Sequence, residues 1–151
     1  MANRLFGRRD EPTPGNSVIS DELKTDTVRL FALVGEAISG ATLALLAGDR
    51  EAAKAVVSQD EEIDRLARQI TRHVTELLVT DTAPSVADRS ELLTLLRIIP
   101  EVERNGDLAE HIARRAARGL GAEMTPRSRG LIERMGETAS EIWRAATDAI
   151  L

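Results

Sequence analysis

The alternation of apolar and polar positions divides the chain into four helical stretches. Ser20 and Asp21 are plausible N-caps for the first. Behind them Leu23, Val28, Leu30, Phe31, Val34, Ile38, Leu43, Leu45 and Leu46 recur at helical spacing as far as Gly48. Gly48 reads as a stop and Asp49 as a new N-cap. The second stretch runs from about Arg50 to about Val79, with a stripe of Ala53, Val56, Ile63, Leu66, Ala67, Ile70, Val74, Leu77 and Leu78. Asp81, Thr82 and Pro84 break it. The third opens near Ser85 and continues to about Leu120 on Leu92, Leu95, Leu96, Ile99, Val102, Ala109, Ala113 and Ala116. Pro100 lies inside it and predicts a kink. The fourth begins at Thr125, an N-cap, with Pro126 at the first helical position. Its stripe is Leu131, Ile132, Met135, Ala139, Ile142, Ala146 and Ile150, and the pattern is still running at Leu151.

No strand pattern survives beside these. The expected fold is all-α: an up-down three-helix bundle of long helices plus a C-terminal fourth helix. Helices of about 30 residues span about 45 Å, so an elongated rod is expected. Residues 1–17, with Pro12, Pro14, Gly15 and Asn16 among mixed charges, read as a flexible tail. Residues 18–121 form the expected bundle and 122–151 the extra helix. An amphipathic fourth helix must bury its apolar face, either by completing a four-helix bundle or against a second subunit.

Composition narrows the function. The 151 residues include no cysteine, which removes disulfides, thiolate metal sites and a cysteine nucleophile. A formal net charge of −5 argues against phosphate neutralisation, so no nucleic acid is expected as partner. Trp143, Phe6 and Phe31 are the only aromatic residues, too few for base stacking. "MANRLFGRRD" has arginines but no apolar run behind them, so it does not read as a signal peptide. "LFALVGEAISGATLALLAG" carries Glu36 and several small residues and suits a core helix better than a membrane span. A cytoplasmic protein without direct membrane insertion is the expectation.

Two acidic pairs depart from the pattern. Asp60 and Asp64 in "QDEEID" sit at i and i+4, with Asp60 inside the apolar stripe and Asp64 at its edge. Glu103 and Asp107 in "EVERNGD" repeat the arrangement on the third helix, with Gly106 near the middle of that stripe. Four carboxylates at a helix seam repel one another and are desolvated, which raises their pKa values. Hard cations with a preference for oxygen ligands, such as Mg, Ca, Mn or Fe, remove the conflict. Asp88 and Glu110 lie near the same face. The competing expectation is a solvated acidic surface neutralised by Arg65, Arg68, Arg104 and Arg114.

Other chemistry is not visible. The residues three before His73 and His111 are Ile70 and Leu108, so the Glu-x-x-His pattern of di-iron bundles is absent. Phosphate-binding loops, nucleophile elbows and dinucleotide fingerprints are absent too, and no catalytic residue is assigned.

"ERNGDLAEHIA" (Glu103–Ala113) resembles the signature of the PhoU family of phosphate-uptake regulators. "VVSQDEEIDRL" (Val56–Leu66) is similar to the family's other acidic element, and "ADRSELLTLLRIIPEVER" (Ala87–Arg104) resembles the segment joining the two. The likeness covers residues ~20–120 at the level of helix order. It implies three-helix bundles, usually two in tandem, whose acidic pairs bind iron, zinc or magnesium. By that pattern Asp60, Asp64, Glu103 and Asp107 are metal ligands, with manganese chemically equivalent. It also implies a non-enzymatic regulator that restrains phosphate-starvation signalling and phosphate uptake. The implied partners are the phosphate ABC transporter and a membrane sensor kinase. The fourth helix resembles the opening of a second domain, as in a short member or a fragment, and a homodimer replacing the tandem is expected. The alternatives are a ferritin-like carboxylate metal protein and a structural helical adaptor without metal.

Overall fold

The computed structural model describes residues 19–80 and 84–150. The expected tail at 1–17, the break at Asp81 and Thr82, and Leu151 lie outside the described residues. Helix α1 is Asp21–Ala47, α2 is Arg50–Val79, α3 is Val86–Ala117 and α4 is Pro126–Ile150. A 3-10 turn, Leu120–Glu123, precedes α4, and no strand occurs among the described residues.

Each start is held by the side chain that the sequence offers. Ser20 accepts from the Leu23 amide (3.1 Å), Asp49 from Glu51 and Ala52 (3.0 and 2.9 Å), and Ser85 from Asp88 (3.0 Å). Thr125 accepts from the Ser128 amide at 3.2 Å. Between α1 and α2 the chain reverses at Gly48, whose φ of 68° is left-handed, and the Asp49 amide returns to the Ala44 carbonyl (3.0 Å). The third helix ends three residues short of its expected end. Gly119 takes a φ of 93° there and its amide bonds to the Ala116 carbonyl at 2.8 Å.

The helices α1, α2 and α3 pack on one another around a core of Leu23, Leu30, Val34, Ile63, Leu66, Ile70, Val74, Leu92, Leu95 and Ile99, all essentially inaccessible. The loops between them reverse the chain, which gives the up-down order. Val28 and Leu43, expected in the α1 stripe, face outward. Helix α1 is long and apolar enough to cross a membrane, and its apolar positions meet α2 and α3. Helix α3 is continuous through Pro100, which sits on the exposed side where the donor it lacks is least missed.

Helix α4 lies along α1 and has no buried residue of its own. The Trp143 indole N–H donates to the Phe31 carbonyl at 2.9 Å, and the two rings stack with centroids 5.4 Å apart. Arg129 donates to the carbonyl of Leu46, which ties the start of α4 to the end of α1.

Candidate metal centre

Helices α2 and α3 run antiparallel, so residue numbers across their seam rise on one side as they fall on the other. Ile63 meets Gly106 at this seam. A Cβ added to Gly106 would lie 3.1 Å from Ile63 Cγ2 and 3.6 Å from Val34 Cγ2. The glycine therefore makes room for Ile63 itself and lets the two helices close together. Asp60 and Asp64 lie one turn apart on either side of that contact, and Glu103 and Asp107 flank it from α3.

The result is a ladder of carboxylates. One oxygen from each of Asp60, Asp64 and Asp107 lies within 4.8 Å of the others, and all three residues are half-buried. Glu103 is outside this trio. It lines a cleft of about 430 Å³ at the mouth of the site, with Asp64, Arg68, Thr71, Ile99 and Pro100. Asp64 Oδ2 accepts from Arg68 Nη1 at 3.3 Å.

Asp60 Oδ1 is buried and has no hydrogen-bond partner. Burial pushes the Asp60 carboxyl up to about 6, helped by the negative charges of Glu110, Asp64 and Asp107 and opposed by Arg114. Glu103 is raised as well, first by burial and then by Asp107 and Asp64, with Arg68 pulling the other way. A buried carboxylate oxygen without a hydrogen-bond partner, close to other carboxylates, favours a positive charge beside it. Donors that are all oxygen suit magnesium, manganese or iron better than zinc, which favours nitrogen and sulfur. The residues present fit such a cation.

Two side chains near the expected face have different roles. Asp88 stays at the start of α3, where its carboxylate accepts from the Ser85 hydroxyl (2.9 Å), about 20 Å along the helix from Glu103. Glu110 does reach the site: it is 5% exposed, ion-pairs with Arg114, and its charge acts on Asp60. Its place was legible, because 103, 107, 110 and 114 follow one helical stripe. His111 Nε2 is 4.0 Å from Glu110 Oε2 on the surface, and neither it nor His73 joins a metal-sized group among the described residues.

The PhoU domain family matches residues 27–116, which take in α2, most of α1 and α3, and every carboxylate of the ladder. The chain belongs to the PhoU family. It is 34% identical over 96 residues to a phosphate-specific transport system accessory protein PhoU homolog of Aquifex aeolicus, covering 64% of this chain and 43% of that protein. It is 29% identical over 131 residues to PhoU homolog 2 of Mycobacterium tuberculosis, covering 86% and 61%. The Caulobacter vibrioides homolog is 28% identical over 127 residues, covering 84% and 55%. The chain thus spans about half the length of these PhoU relatives. No solved structure matches it significantly.

Proposed function

We propose that this PhoU-family chain is a cytoplasmic, non-enzymatic regulator of phosphate homeostasis. In this reading it restrains phosphate-starvation signalling and phosphate uptake by binding the phosphate transporter, a membrane sensor kinase, or both. It self-associates as a dimer and holds one or more cations on Asp60, Asp64, Glu103 and Asp107. Family membership and the names of the relatives, accessory proteins of phosphate-specific transport, support the biological role. The carboxylate ladder, with its orphaned Asp60 oxygen, carries the metal-binding part. A cation there would neutralise the mutual repulsion and clamp α2 to α3. Asp60, Asp64 and Asp107 would hold it, with Glu103 at the solvent side.

A helical adaptor without metal is the second reading, favoured by the Arg68–Asp64 and Arg114–Glu110 pairs. It leaves Asp60 Oδ1 without a partner. The ferritin-like alternative lacks any Glu-x-x-His to supply nitrogen ligands.

Deleting the gene in its host and following a phosphate-responsive reporter under high phosphate tests the regulatory role. Derepression is expected, and an unchanged reporter would sink it. Elemental analysis of purified protein tests the metal site: Asp60→Asn with Asp107→Asn should remove bound metal, and undiminished content would refute the ligand set.

A further inference from the structure

Each end of the carboxylate ladder is met by an arginine one turn along its own helix, and the two pairs differ in one respect. At the deep end Arg114 pairs with Glu110, whose side chain is 6% exposed and which lies outside the metal-sized trio. At the cleft Arg68 Nη1 donates to Asp64 Oδ2 at 3.3 Å, and Asp64 belongs to the trio. Arg65 and Arg104, the other cations near these carboxylates in sequence, make no ion pair with any of them among the described residues. Arg68 is therefore the arginine that already occupies a candidate ligand. Its charge also reaches Glu103 across the seam.

A metal ion entering the trio comes close to that guanidinium, and two positive charges at short range repel. The arginine is placed to give way. Its side chain is 66% exposed and that of Asp64 33%, so water competes for the pair and little holds it shut. The cleft beside it offers room, about 430 Å³, with Thr71 and Arg72 on α2 and Ile99 and Pro100 on α3. The apolar wall of Ile99 and Pro100 can carry the arginine stem while the charged head stays in water.

We propose that Arg68 is the ladder's resident counter-ion, which a metal ion must displace from Asp64 in order to bind. This role rests on the metal-binding part of the reading above and deepens it. The Arg68–Asp64 pair and the bound metal become two states of one site. The exchange also selects by charge. A monovalent ion brings Asp64 no more charge than the guanidinium already there, so only an ion of higher charge gains by replacing it. Arg68 thereby raises the metal concentration at which the site fills. Arg114 takes no part in the exchange, because the carboxylate it holds is not one of the trio.

Equilibrium dialysis of the full chain against manganese(II) tests this, with circular dichroism confirming that each variant stays helical. Arg68→Gln should bind manganese about tenfold more tightly than wild type, since the competitor is gone and Asp64 is kept. Arg72→Gln is the control. Arg72 lines the same cleft one turn further on, carries the same charge and makes no ion pair among the described residues. Its loss should change the affinity by no more than about twofold. The rise in melting temperature on adding manganese should likewise be larger in Arg68→Gln than in wild type. Absence of manganese binding in all three proteins would overturn the metal reading and this role together. Equal tightening in Arg68→Gln and Arg72→Gln would overturn the exchange at Asp64 and leave the metal site standing. Unchanged or weaker binding in Arg68→Gln, with wild type binding well, would do the same.

Discussion

Asp60 is where the chain's chemistry and its stability pull in opposite directions. Its carboxyl is raised to about 6 in the folded protein, while in the unfolded chain it titrates near its ordinary 3.8. Between those pH values the folded state keeps a proton that the unfolded state has released, so the metal-free protein loses stability as pH rises through that window. Above the folded pKa the whole penalty is in place. Asp60→Asn removes it: the metal-free variant should be more stable than wild type at pH 8 by about 1 kcal/mol, after allowing for solvent screening at a half-buried site. The difference should vanish near pH 4 in urea titrations. The same proton competes with a cation, so metal affinity should fall as pH drops below about 6, measurable by titration calorimetry. The four carboxylates were legible from their i, i+4 spacing and their place on the stripe. Which of them is most buried was not, because that depends on how far one helix is slid along the other. The stagger puts Asp60 deep beside Glu110 and leaves Glu103 on the cleft.

Among the elements, the seam of α2 and α3 is set by the Ile63–Gly106 contact. Gly106→Ala places a methyl about 0.3 Å inside comfortable distance of Ile63 and should cost about 1–2 kcal/mol in chemical denaturation despite the better helix propensity of alanine. It should also weaken metal binding by parting the ladder, and equilibrium dialysis of the variant would expose an unaltered affinity. Helix α4 is held differently, by one large anchor. Trp143→Ala removes the Phe31 stack and hydrogen bond, and no residue of α4 is fully buried. A loss of about 2 kcal/mol is expected, confined to α4. Its amides should exchange rapidly while those of α2 and α3 stay protected, as hydrogen exchange would show. Helix boundaries were readable because Ser20, Asp49, Ser85 and Thr125 each place a side-chain oxygen at a helix start. The expected proline lies within α3, which is continuous through the exposed Pro100.

The whole molecule joins a well-packed three-helix bundle to a helix that leans on it. A cation bound only by the folded state adds stability by mass action, about 2.7 kcal/mol at a hundredfold excess over its dissociation constant. Thermal unfolding in manganese should therefore shift upward, reversibly with chelator, in wild type and not in Asp60→Asn/Asp107→Asn. The bundle was legible because stripes of helical period repeat three times between short reversing turns. The docking of α4 along α1 was not, because the period of a stripe does not name the helix that covers it. Only their contact shows that Ser39 meets Ser140 and that Gly35 lies against Trp143.

The wide sequence separation of α1 and α4 has a consequence for biosynthesis. Helix α1 leaves the ribosome first, and about a hundred residues must follow before α4 can dock. At about 5–20 residues per second, the α1 face meant for α4 waits in water for several seconds or more. Beside the Phe31 ring that Trp143 covers, Gly35, Ser39 and Thr42 on that face are small or hydroxylated, and Thr42 bonds its own helix at the Ile38 carbonyl (2.9 Å). The face that α1 turns to the nearer helices is the aliphatic one, and α2 and α3 emerge in time to hide it. The larger aliphatic face of α1 is thus covered before the smaller, more polar face that waits for α4, so less apolar surface is left in water while the chain is being made.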